Sequence, residues 1–307
     1  MNRKTRGVVS YILIAFGMAW AFWCAPLTFG LTLHSPFYIL FLLPGAFAPA
    51  IAAIVVRKWV TREGFADAGL RLNLRKSWRY YLIAWLLPVP VVAIIVLLAV
   101  ALRLSQPDFS LERAMHALGG GQSSVPQSVP LGLRFALVAI QGVVLAIVST
   151  PILWGEEFGW RGYLQIRLLA HRPFLAAITT GMIWGVWHYP INLQGYNYPD
   201  SRLLGLFIFP VWTALLSIVL GWLRQKTRSI WSASLAHAAT NTIGGSLTSL
   251  LFMGGPHWVL VSYAGVLSWV PLGALCVWIV LSGQLQPKLC EGPQGELHRP
   301  QDYSSCE

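Results

Sequence analysis

Apolar runs of about 18 or more residues, nearly free of charge, follow one another along this chain and leave it few folds to choose from. They extend from Val8 to about Ala25, Pro36 to Val56, Tyr80 to Leu102, and from near Phe135 into Trp154. Further runs cover Phe174 to Ile191, Leu203 to Leu223, Ile230 to Met253 and Trp258 to Leu281. In hydrocarbon every backbone N–H and C=O must find its partner inside the protein, and a run of this length does so as a helix. With 56% hydrophobic and 11% charged residues over 307, the chain is also too apolar for an ordinary soluble domain. The pattern predicts an all-α membrane protein, a polytopic bundle of about eight transmembrane helices enclosing an intramembrane polar cavity. One helical domain is expected over 1–282, with 150–245 as its motif-bearing core. A polar, disordered tail is expected over 283–307, which is rich in Pro, Gly, Gln and charge.

The formal charge of +11 does not indicate a nucleic-acid partner. Its basic residues sit in short loops between apolar runs, and no basic-aromatic recognition module accompanies them. With the N-terminus inside, the outer loops hold only Arg103, Arg113, Arg134 and Arg202 of the 22 Lys and Arg, so both termini are expected to be cytoplasmic. The first run is expected to be a retained span, being longer than a signal-peptide core and lacking a small-residue cleavage site. Between the second and third runs, Phe65, Leu70, Leu72 and Leu74 alternate with Arg71, Arg75 and Lys76. That suits either a segment lying on an anionic lipid surface or a solvated loop. The Gly119–Ser124 stretch reads as a mobile loop, and the four cysteines show no disulfide or metal spacing.

Against this background Glu156 and Glu157 stand out, because the other acidic residues fall in predicted loops or the tail. A carboxylate at membrane depth needs a partner, a proton or a function. Of seven histidines only His188 and His237 lie within apolar runs. At 1.5 Å per residue, His237 lies ~13 Å in from Arg228, His188 ~23 Å in from Arg172, and Glu156 ~18 Å from a helix end near Leu168. All three then share one layer of a ~30 Å core, provided the fourth helix continues well past Trp154. Arg161 is four residues after Glu157, on the same helical face, so these two are expected to pair and leave Glu156 free to act as a general base. His237 and Asn241 are also four apart, presenting an imidazole and an amide that could together stabilise an oxyanion. His188 could hold a water beside Glu156. Two other readings remain open: a structural ion pair at a helix end, and a proton-coupled transporter, which would call for discontinuous helices and repeated halves.

Taken together, these residues resemble the CPBP family of intramembrane proteases, which includes the type II CAAX prenyl endopeptidases and many bacterial immunity-type homologues. The resemblance rests on three motifs: EExxxR at Glu156, Glu157 and Arg161; Trp184 to His188, where FxxxH is usual; and HxxxN at His237 and Asn241. It implies an endopeptidase in which Glu156 and His188 activate water while His237 and Asn241 stabilise the tetrahedral intermediate. Glu157 and Arg161 would support them, and Trp184 and Trp187 would line the pocket. The implied substrate is a membrane-associated protein or peptide, prenylated or not, and the expected location is a bacterial plasma membrane. No cofactor is expected. The competing arrangement is a zinc site built from Glu156, His188 and His237, although the soluble-protease signature HExxH is missing. A non-enzymatic membrane protein on the same fold is the remaining alternative.

Overall fold

The computed structural model describes residues 2–110, 130–169, 171–252 and 255–285, together with two paired antiparallel strands, Cys290–Glu291 and Leu297–His298. The Gly119–Ser124 loop and the rest of the expected tail lie outside the described residues.

Each predicted apolar run coincides with a helical stretch. Helix α1 is Arg3–Thr28. Helix α2, Ile39–Val55, is entered through a 3-10 turn at Pro36–Tyr38 and prolonged by a π turn at Val56–Val60. Helices α3 (Leu74–Leu86) and α4 (Pro88–Ala101) join at Leu87. Helix α5, Leu131–Gly159, opens into a π turn at Trp160–Leu164 and closes with Gln165–Arg167, so it continues well past Trp154 as its polar residues require. Helices α6 (Pro173–Trp187), α7 (Tyr189–Leu193) and α8 (Arg202–Thr227) follow. Helix α9, Ile230–Ala239, runs through a π turn at Thr240–Gly244 into α10, Gly245–Phe252. Helices α11 (Trp258–Val261) and α12 (Trp269–Leu281) complete the bundle.

Among the described residues, six of these stretches are long and apolar enough to cross a membrane. Helix α6 is apolar but shorter, and the stretch through α9 and α10, diluted by Ser232, Ser234, His237, Thr240 and Asn241, is not one of the six. The outward faces are apolar, with Phe207 at 75% and Leu281 at 82% exposure. In water such a surface would drive aggregation, whereas in lipid it is the solvated face. The chain is an integral, all-α membrane protein.

Close helix approach places the polar residues. An added Cβ on Gly181 would lie 2.5 Å from Ala214 Cα, and one on Gly185 would lie 2.5 Å from Pro210 Cα, so this Gly-x-x-x-Gly pair lets α6 lie directly on α8. On α5 a Cβ at Gly159 would come within 2.4 Å of Pro49 Cβ and 2.5 Å of the Tyr11 hydroxyl. The turn carrying the glutamates therefore packs flush against α2 and α1. Ser229 caps α9 by accepting the Trp231 N–H at 3.2 Å, and Tyr81 donates to the same hydroxyl at 3.0 Å.

The segment after α2 is more deeply engaged than either sequence reading allowed. Arg57 is fully buried, pairs with Asp67 at 2.8 Å, and donates to the carbonyls of Gly64 and, at 2.9 Å, Gly162. Arg167 reaches Glu63 at 2.7 Å and Asp67 at 3.1 Å, while the Trp231 indole donates to the Leu70 carbonyl at 2.9 Å. These bonds strap residues 61–70 across the ends of α5 and α9. Leu70, Leu72 and Leu74 remain exposed beside them, as a lipid-facing rim would be.

Two glycine-to-alanine changes test the packing. Gly181→Ala should destabilise by ~1–3 kcal/mol through overpacking. Gly17→Ala, with nothing within 4 Å of the added methyl, should be neutral or slightly stabilising. Thermal unfolding in detergent reads both.

Candidate active site

Glu157 is completely buried, and one oxygen, Oε1, carries both of its polar contacts. It accepts from Arg161 Nη1 at 2.9 Å, the pairing that the four-residue spacing predicts, and it lies 3.0 Å from His237 Nδ1. Since a carboxylate accepts, His237 donates from Nδ1, and its Nε2 is left on the opposite side of the ring. Spacing could not have shown this contact, because the partners are 80 residues apart. It joins α5 to α9 through one anion.

Glu156 is held differently. Its Oε2 accepts from the Trp184 indole N–H at 2.8 Å, and the residue keeps 6% exposure. Trp184 is also the centre of the arrangement. Its main-chain carbonyl accepts from His188 Nδ1 at 2.9 Å, and the Arg161 guanidinium lies over its ring at 4.6 Å. Its edge meets the His237 ring at 5.0 Å and 77°. The expected wall residue is thus a hydrogen-bonding hub. The indole N–H that a phenylalanine lacks is the sequence signal that could have found this role.

His188 must carry its proton on Nδ1, because a carbonyl can only accept, so in the neutral ring Nε2 presents a lone pair. The ring is boxed by Trp187 at 4.7 Å, Phe209 at 4.9 Å, Trp184 at 5.8 Å and Trp23 at 5.9 Å. Trp187 is buried behind His188 and donates to the Ala15 carbonyl at 3.1 Å, which ties α6 to α1. Trp23 and Phe209 had no distinguishing mark among the chain's many aromatics.

Asn241 departs from the expected geometry. A regular helix would stack it over His237, but the π turn beginning at Thr240 inserts an extra residue and shifts the phase. His237 is buried at 4% exposure, while Asn241 is exposed. Glu156, Glu157, Arg161, Trp184, His188 and His237 therefore form one connected group, with Asn241 one turn beyond it.

Among the described residues, no three His, Cys, Asp or Glu side chains are gathered closely enough to hold a metal ion, so Glu156, His188 and His237 do not form a ligand set as they stand.

The fold is that of a polytopic membrane protein with a connected group of buried polar side chains at its centre. Residues 136–243, which carry all of the sequence-predicted site residues, match the family described as type II CAAX prenyl endopeptidase Rce1-like. The chain is also 29% identical over 251 residues to the CAAX prenyl protease 2 of Methanococcus maripaludis, with 75% of this chain and 81% of that protein covered. Through this segment the chain is similar to the CAAX proteases, in keeping with the resemblance to the CPBP family that its motifs carry.

Removing the cation from the buried pair should be costly. Arg161→Leu leaves Glu157 buried with His237 alone, and should cost ~3–5 kcal/mol in thermal unfolding, far more than the loss of an exposed ion pair.

Proposed function

We propose that this protein is an intramembrane endopeptidase that hydrolyses a peptide bond of a membrane-associated protein or peptide. The observation that carries the reading is the division of labour between adjacent glutamates: Glu157 is fully buried and bonded to both Arg161 and His237, whereas Glu156 keeps an accessible edge beside Trp184. His188 and His237 keep similar slivers of exposure, at 8% and 4%. The groups suited to proton transfer reach accessible space, and the ion pair does not.

A chemical sequence follows from the donors. A water between Glu156 and the Nε2 lone pair of His188 can donate one hydrogen to each, which aims its own lone pair at a carbonyl carbon. As the carbon–oxygen bond forms, Glu156 takes the proton and later delivers it to the leaving amine. His237, with Nδ1 engaged by Glu157, can donate to the developing oxyanion only when its Nε2 is also protonated. Asn241, on the π turn next to it, would supply the second donor once substrate is seated. No step in this scheme runs through a metal.

A quenched fluorescent peptide library incubated with detergent-purified protein tests the proposal. Cleavage by the wild type that vanishes in Glu156→Ala and survives a strong zinc chelator is the expected result. Loss on chelation, restored by zinc, would overturn the metal-free scheme, and a fully active Glu156→Ala would overturn the role of that residue. Trp184→Phe should keep the ring beneath Arg161 but lose the donor to Glu156, lowering turnover about tenfold with little change in KM.

A further inference from the structure

Where α1 begins and α2 ends, Arg3, Arg6, Trp59, Val60, Thr61 and Arg62 line an open cleft of ≈ 770 Å³. Three guanidinium groups border it, and none of the lining residues is acidic. The nearest acid in sequence, Glu63, turns away to Arg167 at 2.7 Å. Two of the cations are hydrogen-bonded from α1 to the end of α2: Arg3 donates to the Arg62 carbonyl at 2.9 Å and Arg6 to the Val60 carbonyl at 3.0 Å. Each bond uses one of the five donors that a guanidinium carries, and it holds the remaining donors at the cleft.

The level of the cleft in the membrane follows from helix length. The stretches Arg3–Thr28 and Pro36–Val60, 26 and 25 residues, are both candidate spans. At 1.5 Å per residue each is about 38 Å long, more than the ~30 Å hydrocarbon core, so their shared end stands among the headgroups. Trp59 is 65% exposed at the same level with Lys58 over its ring at 5.9 Å, the position in which an interfacial tryptophan anchors. The floor of the cleft is tight: a Cβ on Gly7 would lie 2.7 Å from both Thr61 Cγ2 and the Tyr163 hydroxyl. It therefore rests on the π turn that follows the two glutamates.

We propose that this cleft is a phosphate-binding site, occupied by the headgroup phosphate of an anionic phospholipid. Planar guanidinium forks match the paired oxygens of a phosphate better than a lysine would. The site is independent of any peptidase chemistry.

The test compares wild type with an Arg3→Gln/Arg6→Gln/Arg62→Gln variant, after both are shown to unfold cooperatively. A second variant, Arg71→Gln/Arg75→Gln/Lys76→Gln, removes the same charge from exposed positions. Each is incubated with equal amounts of phosphatidylglycerol and phosphatidylcholine of identical acyl chains, and retained lipid is counted by native mass spectrometry. Inorganic phosphate is titrated separately. The expected result is a preference for phosphatidylglycerol in wild type and the exposed-charge variant that falls by about fivefold or more in the cleft variant. Phosphate binding lost only in the cleft variant, without lipid preference, would keep the phosphate site but replace the lipid by the free ion. Equal retention of both lipids without phosphate binding would overturn the proposal, as would an equal loss of preference in both variants.

Discussion

A carboxylate taken out of water has to be answered by charge and hydrogen bonds, and the answer that Glu157 receives organises this structure. Its one oxygen binds Arg161 on its own helix and His237 on α9, so two elements far apart in sequence meet at a single anion. Arg161 in turn lies on the face of Trp184, which brings α6 to the same point. Take away the anion and both the guanidinium and the imidazole lose the partner that keeps them buried. The remaining members, Glu156 and His188, are hung on Trp184 by one side-chain and one main-chain hydrogen bond.

Backbone geometry makes that convergence possible. Glycines at 181 and 185 bring α6 onto α8, and Gly159 brings the glutamate-bearing turn against Pro49 and Tyr11. In lipid, where apolar burial between helices drives little, such close packing and buried hydrogen bonds hold a bundle together. Among the described residues, two of the three π turns fall at the site, Trp160–Leu164 carrying Arg161 and Thr240–Gly244 carrying Asn241. Each lets a helix change phase where a polar residue must leave the regular ladder, which is where such turns commonly occur.

Much of this was legible in the chain. Length and hydropathy placed each helical stretch, and the demand that Glu156 lie in the same layer as His188 and His237 correctly required α5 to run past Trp154. The spacing of Glu157 and Arg161 gave their ion pair, because four residues is a local rule of the helix. What stayed hidden was non-local or irregular. Nothing in spacing links Glu157 to His237 or Glu156 to Trp184, since tertiary packing alone decides which helix faces which. Asn241 was placed by assuming an unbroken helix, and the π turn at Thr240 removes that assumption. Arg57 looked like one more basic loop residue until the strap of residues 61–70 buried it. The Gly181 and Gly185 pair was readable as a packing motif and went unread.

The central claim is that adjacent glutamates have opposite tasks, one holding the site together and the other exchanging a proton. Glu156→Gln and Glu157→Gln, each measured for thermal unfolding and for peptide turnover, test it most directly. Glu157→Gln should lose ~3 kcal/mol or more of stability, because it leaves Arg161 buried without its counter-charge. Glu156→Gln should unfold close to wild type, since an amide oxygen can still accept from Trp184, and yet lose turnover. If Glu156→Gln keeps its turnover, or if the two variants are equally destabilised, the two residues do not divide the work in this way.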